Sequence, residues 1–177
     1  MEPYMEIFFG IKAIKAMEIT RGDYNKYRGW DMPDDEDADE VGMLVEYPAD
    51  PDNKPNHPDH EGYISWCPKV VFDKHHRSNG ELTFGDALHA LEHGQRVARK
   101  GWNGKGMFLF LLPADDNIPT KAIHDPALRK VIEAEVGGET FSALGSIRMF
   151  TADKKILTGW LASQTDMLSK DWEILTD

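Results

Sequence analysis

The chain has 177 residues, a length that fits one globular domain or two small ones. Hydrophobic residues make up 41% and charged residues 29%, which is typical of globular proteins. Its formal net charge of -11 argues against binding to long nucleic acid, because phosphate contacts dominate that affinity. We expect no signal peptide, no membrane span and, with Cys67 as the single cysteine, no intrachain disulfide.

The first segment, residues 1–77, is predicted to be a small α+β unit. A strand is expected through Ile7–Ile19, and Thr20 followed by Asp23 has the spacing of a capping box that opens a short helix. The later elements are an acidic loop over 31–40, a strand over Gly42–Tyr47, a Pro- and Asp-rich loop over 48–62, a strand over Gly62–Trp66 and a helix from Pro68.

The polar run HHRSNGE (75–81) is the predicted linker to a second segment, residues 78–177. Thr83 is placed to cap a helix, and Gly94 to end it. The apolar side chains of this helix recur at i, i+3, i+4 and i+7, which predicts one buried face made of Phe84, Ala87, Leu88 and Leu91.

The rest of the second segment predicts an antiparallel sheet. Strands are expected over Arg96–Gly101 and Met107–Leu112, joined at Asn103-Gly104, a common two-residue hairpin turn. Further expected elements are a helix from Asp125-Pro126 to Val136 stopped by Gly137-Gly138, a hairpin of Ile147–Phe150 with Ile156–Leu161, and a strand over Asp171–Leu175. The predicted fold class is therefore α+β, with an N-terminal helix packed on a small antiparallel sheet over residues 81–177.

The block RVARKGWNGKG (96–106) is the first candidate binding element. Residues 93–105 carry four bases and no acid, whereas 31–40 carry seven acids and no base. A tryptophan can stack on a base, cations bond phosphate, and glycines let the backbone approach a ligand. The alternative is a solvated hairpin tip whose tryptophan packs on the sheet.

The block GWLASQTDMLSKDW (159–172) is the second candidate. Ser163 and Asp166 have capping-box spacing, so amides near Thr165 are expected at a helix N-terminus, where anions are favoured. Gln164 and Asp166 could hydrogen-bond a ribose or a base edge. The alternative is that the pair only caps a short helix while Trp160 and Trp172 fill the core.

Catalytic patterns are weak, and we expect no enzyme activity, metal or cofactor. The adjacent His75 and His76 would point to opposite faces of an extended chain, and no common metal-binding spacing accompanies them. Cys67 has no nearby charge to activate a thiolate, and the acidic loop lacks the alternating spacing of calcium ligands.

Two blocks, TFGDALHALEHGQRVARKGWNGKGMFLFL (83–111) and GWLASQTDMLSKDWEIL (159–175), closely resemble the second type of phage Thoeris anti-defence protein. The resemblance implies a homotetrameric α+β sponge that sequesters cyclic ADP-ribose isomers made by bacterial TIR-domain enzymes, and in some members cyclic oligonucleotides. TRGDYNKYRGWDMP and GYISWCPKVVF resemble an N-terminal segment of assorted small phage proteins whose role is unknown.

By this resemblance, the expected function is sequestration of a cyclic nucleotide-type messenger, without cleavage, in the cytoplasm of the infected bacterial host. An enzyme that degrades the messenger and a protein–protein adaptor remain the alternatives. The resemblance implies ten ligand-binding residues, which are Arg99, Gly101, Trp102, Asn103, Trp160, Ala162, Ser163, Gln164, Thr165 and Asp166.

Overall fold

The computed structural model describes residues 10–51 and 54–176, and the chain divides into two compact units, 1–77 and 78–177. Helices and antiparallel sheets occur in both units, which confirms the predicted α+β class. Among the described residues, no helix combines the length and the apolar character needed to span a membrane.

The first unit contains a three-stranded antiparallel sheet and two helices. In chain order the elements are β1 (Lys15–Thr20), α1 (Arg21–Arg28), β2 (Val41–Glu46), β3 (Ile64–Pro68) and α2 (Lys69–His75), with strand order β1-β2-β3. Tyr24, Leu44 and Ile64 form its buried core. Ile19 and Trp66, which are partly buried, pack against it.

Local signals define the limits of α1. Thr20 accepts a hydrogen bond from the Asp23 amide at 3.1 Å, which is the predicted N-cap. Gly29 ends the helix with φ 69°, a left-handed conformation that costs glycine least. The strand predicted over Ile7–Ile19 instead begins at Lys15 and runs to Thr20, and residues 7–9 lie outside the described residues.

The second unit is a helix packed on a five-stranded antiparallel sheet. Its elements are α3 (Phe84–Glu92), β4 (Arg96–Arg99), β5 (Phe108–Leu112), β6 (Asp115–Pro119), a short 3₁₀ helix (Thr120–Ala122), α4 (Pro126–Glu135), β7 (Thr140–Ala143), β8 (Ser146–Phe150), β9 (Ile156–Thr158), α5 (Gln164–Leu168) and β10 (Trp172–Leu175). The main sheet has the order β10-β4-β5-β8-β9, and β6 pairs with β7.

Helix α3 supplies one side of the second unit's core. Thr83 and Asp86 form a reciprocal capping box at its start, which satisfies backbone donors that the helix leaves unpaired. The face with Ala87, Ala90 and Leu91 is buried against Val97, Leu109, Met149 and Trp172 from the sheet. The predicted amphipathic helix and its caps at Thr83 and Gly94 are confirmed.

The connection between β4 and β5 is longer than predicted. The sequence suggests a two-residue turn at Asn103-Gly104, but residues 100–107 form the loop and Gly106 takes the positive φ of 71°. Val97 and Leu109 stand in register between these strands, and Trp102 of the loop donates a hydrogen bond to Asp166.

The β6–β7 pair was not predicted. Strand β6 reads DDNIP, without alternation of apolar and polar residues, and its register is interrupted between Asp115 and Ile118. Strand β7 alternates exposed and half-buried residues, but over only four positions. Strand β9 also ends at Thr158 rather than at Leu161, and β3 begins at Ile64 rather than at Gly62.

Leu109→Ala tests the core of the second unit. Leu109 is 0% exposed, and removing a buried leucine side chain leaves a cavity that costs about 2–5 kcal/mol. We expect the free energy of unfolding, measured by urea denaturation, to fall by that amount. Leu112→Ala on the same strand, 42% exposed, is the matched control and should cost less than about 1 kcal/mol; equal losses would contradict the assigned core.

Candidate functional site

Asp166 joins the two sequence blocks. It is the third residue of α5 and is 8% exposed. One carboxylate oxygen accepts hydrogen bonds from Arg99 Nη1 at 2.8 Å and from Trp102 Nε1 at 3.1 Å. The other accepts from the Ser163 amide at 3.0 Å and from Ser163 Oγ at 2.7 Å. The 96–106 and 159–172 blocks therefore meet through one buried carboxylate.

Arg99 is bound by a second carboxylate on its other edge. Its Nε and Nη2 donate to the two oxygens of Asp171 at 2.8 and 3.3 Å, and Asp171 also accepts from the Gly101 amide at 2.8 Å. The Arg99 side chain is 9% exposed. With two carboxylates on its guanidinium, Arg99 holds the scaffold together rather than presenting an open phosphate-binding edge.

The charges in this network stabilise one another. Burial by itself raises the pKa of Asp166, but hydrogen bonds from Ser163, Arg99 and Trp102 outweigh it and lower the pKa to about 2 from 3.8. The Arg99 hydrogen bond lowers the pKa of Asp171. Both carboxylates are therefore ionised at neutral pH.

Three tryptophans pack beside the network. The ring centroids of Trp102 and Trp160 are 6.2 Å apart, and both rings contact Trp172 edge-on at 5.5 and 6.4 Å. Trp172 is fully buried, and its Nε1 donates to the Asp166 carbonyl at 3.0 Å. Trp102 and Trp160 are half-buried and pack on the core. All three indoles therefore contribute to packing, as the alternative interpretation of the sequence expected. Trp102 and Trp160 also retain exposed surface.

Exposed polar residues lie within a few positions of the two half-buried indoles in the sequence. Asn103, Gln164 and Thr165 are exposed, and within the described part of the chain their side chains make no hydrogen bonds. Ala162 is half-buried, and its neighbour Leu161 is 88% exposed. We call Asn103, Ala162, Gln164 and Thr165, with the exposed parts of Trp102 and Trp160, the polar rim. Its members are the predicted residues that could reach a ligand without breaking an internal contact.

The structure thus separates the ten predicted residues into two groups. Arg99, Gly101, Ser163 and Asp166 belong to the internal network, and the others to the polar rim. The capping box of Ser163 and Asp166 is confirmed, and Asp166 itself occupies the helix N-terminus that was expected to attract an anion. Sequence reasoning missed Asp171 as part of the network. The sequence feature that could have indicated it is its place at the start of the predicted strand over Asp171–Leu175. In the structure the next residue, Trp172, pairs with Arg99.

The candidate catalytic residues have structural contacts. The His76 ring stacks on Phe72 at 4.3 Å, and its Nδ1 lies 3.2 Å from the Phe72 carbonyl. Cys67 is half-buried, with its Sγ 3.7 Å from the Pro68 carbonyl. Within residues 10–51 and 54–176, no group of three or more His, Cys, Asp or Glu side chains is arranged to hold a metal ion.

Comparison with known proteins places the second unit in a family. The profile of the Thoeris anti-defense 2-like domain matches residues 82–175. The chain belongs to this family. A curated relative, Thoeris anti-defense 2 from Bacillus phage SP01, is 35% identical over 102 residues, which cover 54% of this chain and 97% of that protein. The resemblance inferred from the two blocks is confirmed, and family membership supports an anti-defense role.

Asp166→Asn tests the network through the pH dependence of stability. A pKa lowered by folding stabilises the native state above the unfolded pKa of 3.8, and this stabilisation is lost as the pH falls through about 2. The shift corresponds to about 2 kcal/mol. We expect Asp166→Asn to lower the free energy of unfolding at pH 7 by at least about 2 kcal/mol and to flatten the decline below pH 4, both measured by urea denaturation.

Asp116→Asn is the matched control, because Asp116 is exposed. It should leave both the stability at pH 7 and the acid decline close to those of the unchanged chain. If Asp166→Asn behaves like this control, the buried network does not hold the two blocks together in solution.

Proposed function

We propose that the chain is an anti-defense sponge, which binds a cyclic nucleotide-type immune messenger and holds it without cleaving it. Cyclic ADP-ribose isomers are the first candidate ligands and cyclic oligonucleotides the second. Binding would block Thoeris-type immunity in the cytoplasm of the infected bacterial host. The proposal is carried by the family match over residues 82–175, the part of the chain that contains the polar rim.

The polar rim offers the contacts that such a messenger needs. The open faces of Trp102 and Trp160 could stack on a base, at about 1–3 kcal/mol per base. The amides of Asn103 and Gln164 could hydrogen-bond ribose hydroxyls or a base edge. Because Arg99 is bound by two carboxylates, the phosphates would instead be neutralised by the exposed cations of the basic block, Lys100 and Lys105.

The internal network would contribute by fixing the rim before the ligand arrives. Asp166 of α5 accepts a hydrogen bond from Trp102 of the 100–107 loop at 3.1 Å, and Asp171 accepts one from the Gly101 amide of the same loop at 2.8 Å. Ordering a loop on binding reduces affinity, so a loop that is already ordered binds more tightly. A sponge must outcompete the host effector, and nanomolar affinity corresponds to about 12 kcal/mol.

We further propose that the chain acts as a homo-oligomer, with the tetramer implied by the family resemblance as the first expectation. Cross-strand pairs place Phe108, Phe110, Arg148 and Phe150 on the sheet face opposite α3. Phe108 and Phe150 stack at 4.9 Å, and the buried Nε of Arg148 has no hydrogen-bond partner among the described residues. A second copy on this face would cover the parts of the aromatic rings that remain exposed.

Recovery of the ligand distinguishes a sponge from an enzyme. The full chain is incubated with a slight excess of a cyclic ADP-ribose isomer, separated from free ligand, heated and analysed by liquid chromatography with mass spectrometry. We expect about one unchanged messenger per binding site, because the proposed contacts are stacking and hydrogen bonds. Progressive conversion of messenger by substoichiometric protein would reject the sponge in favour of a degrading enzyme, and no retention would favour the adaptor.

Gln164→Ala tests the polar rim with little risk to the fold. Gln164 is exposed, and its side chain makes no hydrogen bond within the described residues. We expect messenger affinity, measured by calorimetric titration, to fall by about tenfold or more, while the melting temperature stays within about one degree. Gln95→Ala, another exposed glutamine of the same unit, should change neither quantity. Undiminished binding by Gln164→Ala would place the site elsewhere.

A further inference from the structure

The first unit contains a cavity of about 540 Å³, within the size range of small-molecule sites. It lies outside the family match, which begins at residue 82. Two arginines, Arg21 and Arg28, line it together with Trp30, Tyr63 and Trp66. Cations beside large aromatic rings are the side chains that recognise planar anions, so the cavity has the chemistry of a binding site.

Arg28 is held in one orientation at this cavity. Its Nη1 donates to the Tyr24 hydroxyl at 3.0 Å and to the Ile64 carbonyl at 3.4 Å. Its guanidinium carbon lies 4.2 Å from the centre of the Trp30 ring, which is a cation–π distance. Within the described residues, Nε and Nη2 have no hydrogen-bond partner, and no carboxylate forms an ion pair with this arginine.

Arg21 shows what the open edge of Arg28 is suited to bind. Its guanidinium also lies over an indole, 4.6 Å from the Trp66 ring. Its Nε and Nη2, however, donate to the two oxygens of Glu36 at 2.6 and 2.5 Å. This is the bidentate geometry that matches a guanidinium edge to a carboxylate or phosphate. The same edge of Arg28 lacks the anion that Glu36 supplies to Arg21.

Aromatic surface is left open beside that edge. Trp30 is 53% exposed and Tyr63 is 44% exposed, although burial of aromatic side chains contributes strongly to stability. A planar ring placed against them would cover this surface and could stack on it. Asp31 and Glu36 also line the cavity, and their charges disfavour a ligand with several phosphates.

We propose that this cavity binds a small planar aromatic molecule with one anionic group, a phosphate or a carboxylate. The anion forms a bidentate pair with Nε and Nη2 of Arg28, and the ring lies against Trp30 and Tyr63. The site is separate from the polar rim, and the proposal does not rest on messenger binding by the second unit.

A purely structural role for the same residues makes a different prediction. Trp30 donates its amide to the Asn25 carbonyl at 2.9 Å and follows Gly29 at the end of α1. If the Arg28–Trp30 contact only stabilises this helix end, substitution lowers the melting temperature and the unchanged chain binds no aromatic anion. Binding by the unchanged chain therefore separates the two roles before any variant is made.

The full chain is titrated by calorimetry with adenosine monophosphate and with 4-hydroxybenzoate, which carry the phosphate and carboxylate versions of the ligand. Adenosine and inorganic phosphate serve as ring-only and anion-only controls. We expect saturable binding of at least one aromatic anion, and binding of both controls weaker by about tenfold or more. Absence of saturable binding by both aromatic anions at millimolar concentration overturns the proposal, as does equal binding of inorganic phosphate alone.

Arg28→Lys then locates the bound anion, because lysine keeps the charge but lacks the bidentate edge. We expect about a tenfold loss of affinity or more, with Lys26→Ala, an exposed cation of the same helix, unchanged. Retained affinity in Arg28→Lys overturns the proposal. An anion bound at the polar rim would give the reverse pattern, with affinity lost in Gln164→Ala and kept in Arg28→Lys.

Discussion

The buried carboxylate of Asp166 is the constraint on which the second unit depends. A charge that is 8% exposed is tolerated only when it is paired and its oxygens are hydrogen-bonded. Arg99 and Trp102 from the first block and Ser163 from the second meet this requirement. Removing any of these donors leaves the carboxylate short of a partner, so strand β4, the 100–107 loop and helix α5 must fold together.

This constraint explains how a small sheet holds the polar rim in place. The network residues are occupied with one another, and they join the two blocks that carry the rim. Half-buried indoles and exposed amides combine large apolar area with hydrogen-bonding groups, and a loop already held by hydrogen bonds loses little entropy on binding. The affinity for a ligand would come from the polar rim, and the geometry of the rim would be set by the internal network.

The two units use arginine in contrasting ways. In the second unit Arg99 is enclosed between Asp166 and Asp171 and acts within the fold. In the first unit Arg21 and Arg28 lie over tryptophan rings at the wall of a cavity, and only Arg21 is paired with a carboxylate. An arginine motif in the sequence therefore does not by itself distinguish a structural cation from a binding one.

The sequence by itself determined the features that depend on residues a few positions apart. The sequence predicted the caps at Thr20, Thr83 and Ser163 and the apolar face of α3, because capping and helix periodicity act within one or two turns. It also showed the family resemblance, through the residues of the two blocks. Only the tertiary structure decided which residues of the two blocks are enclosed in the internal network and which stay exposed. Arg99 and Asp171 are separated by 72 positions, and no local pattern specifies such a pair. The 100–107 loop likewise differs from the tight turn that Asn-Gly favours, and it contains Trp102, whose hydrogen bond to Asp166 spans 64 positions.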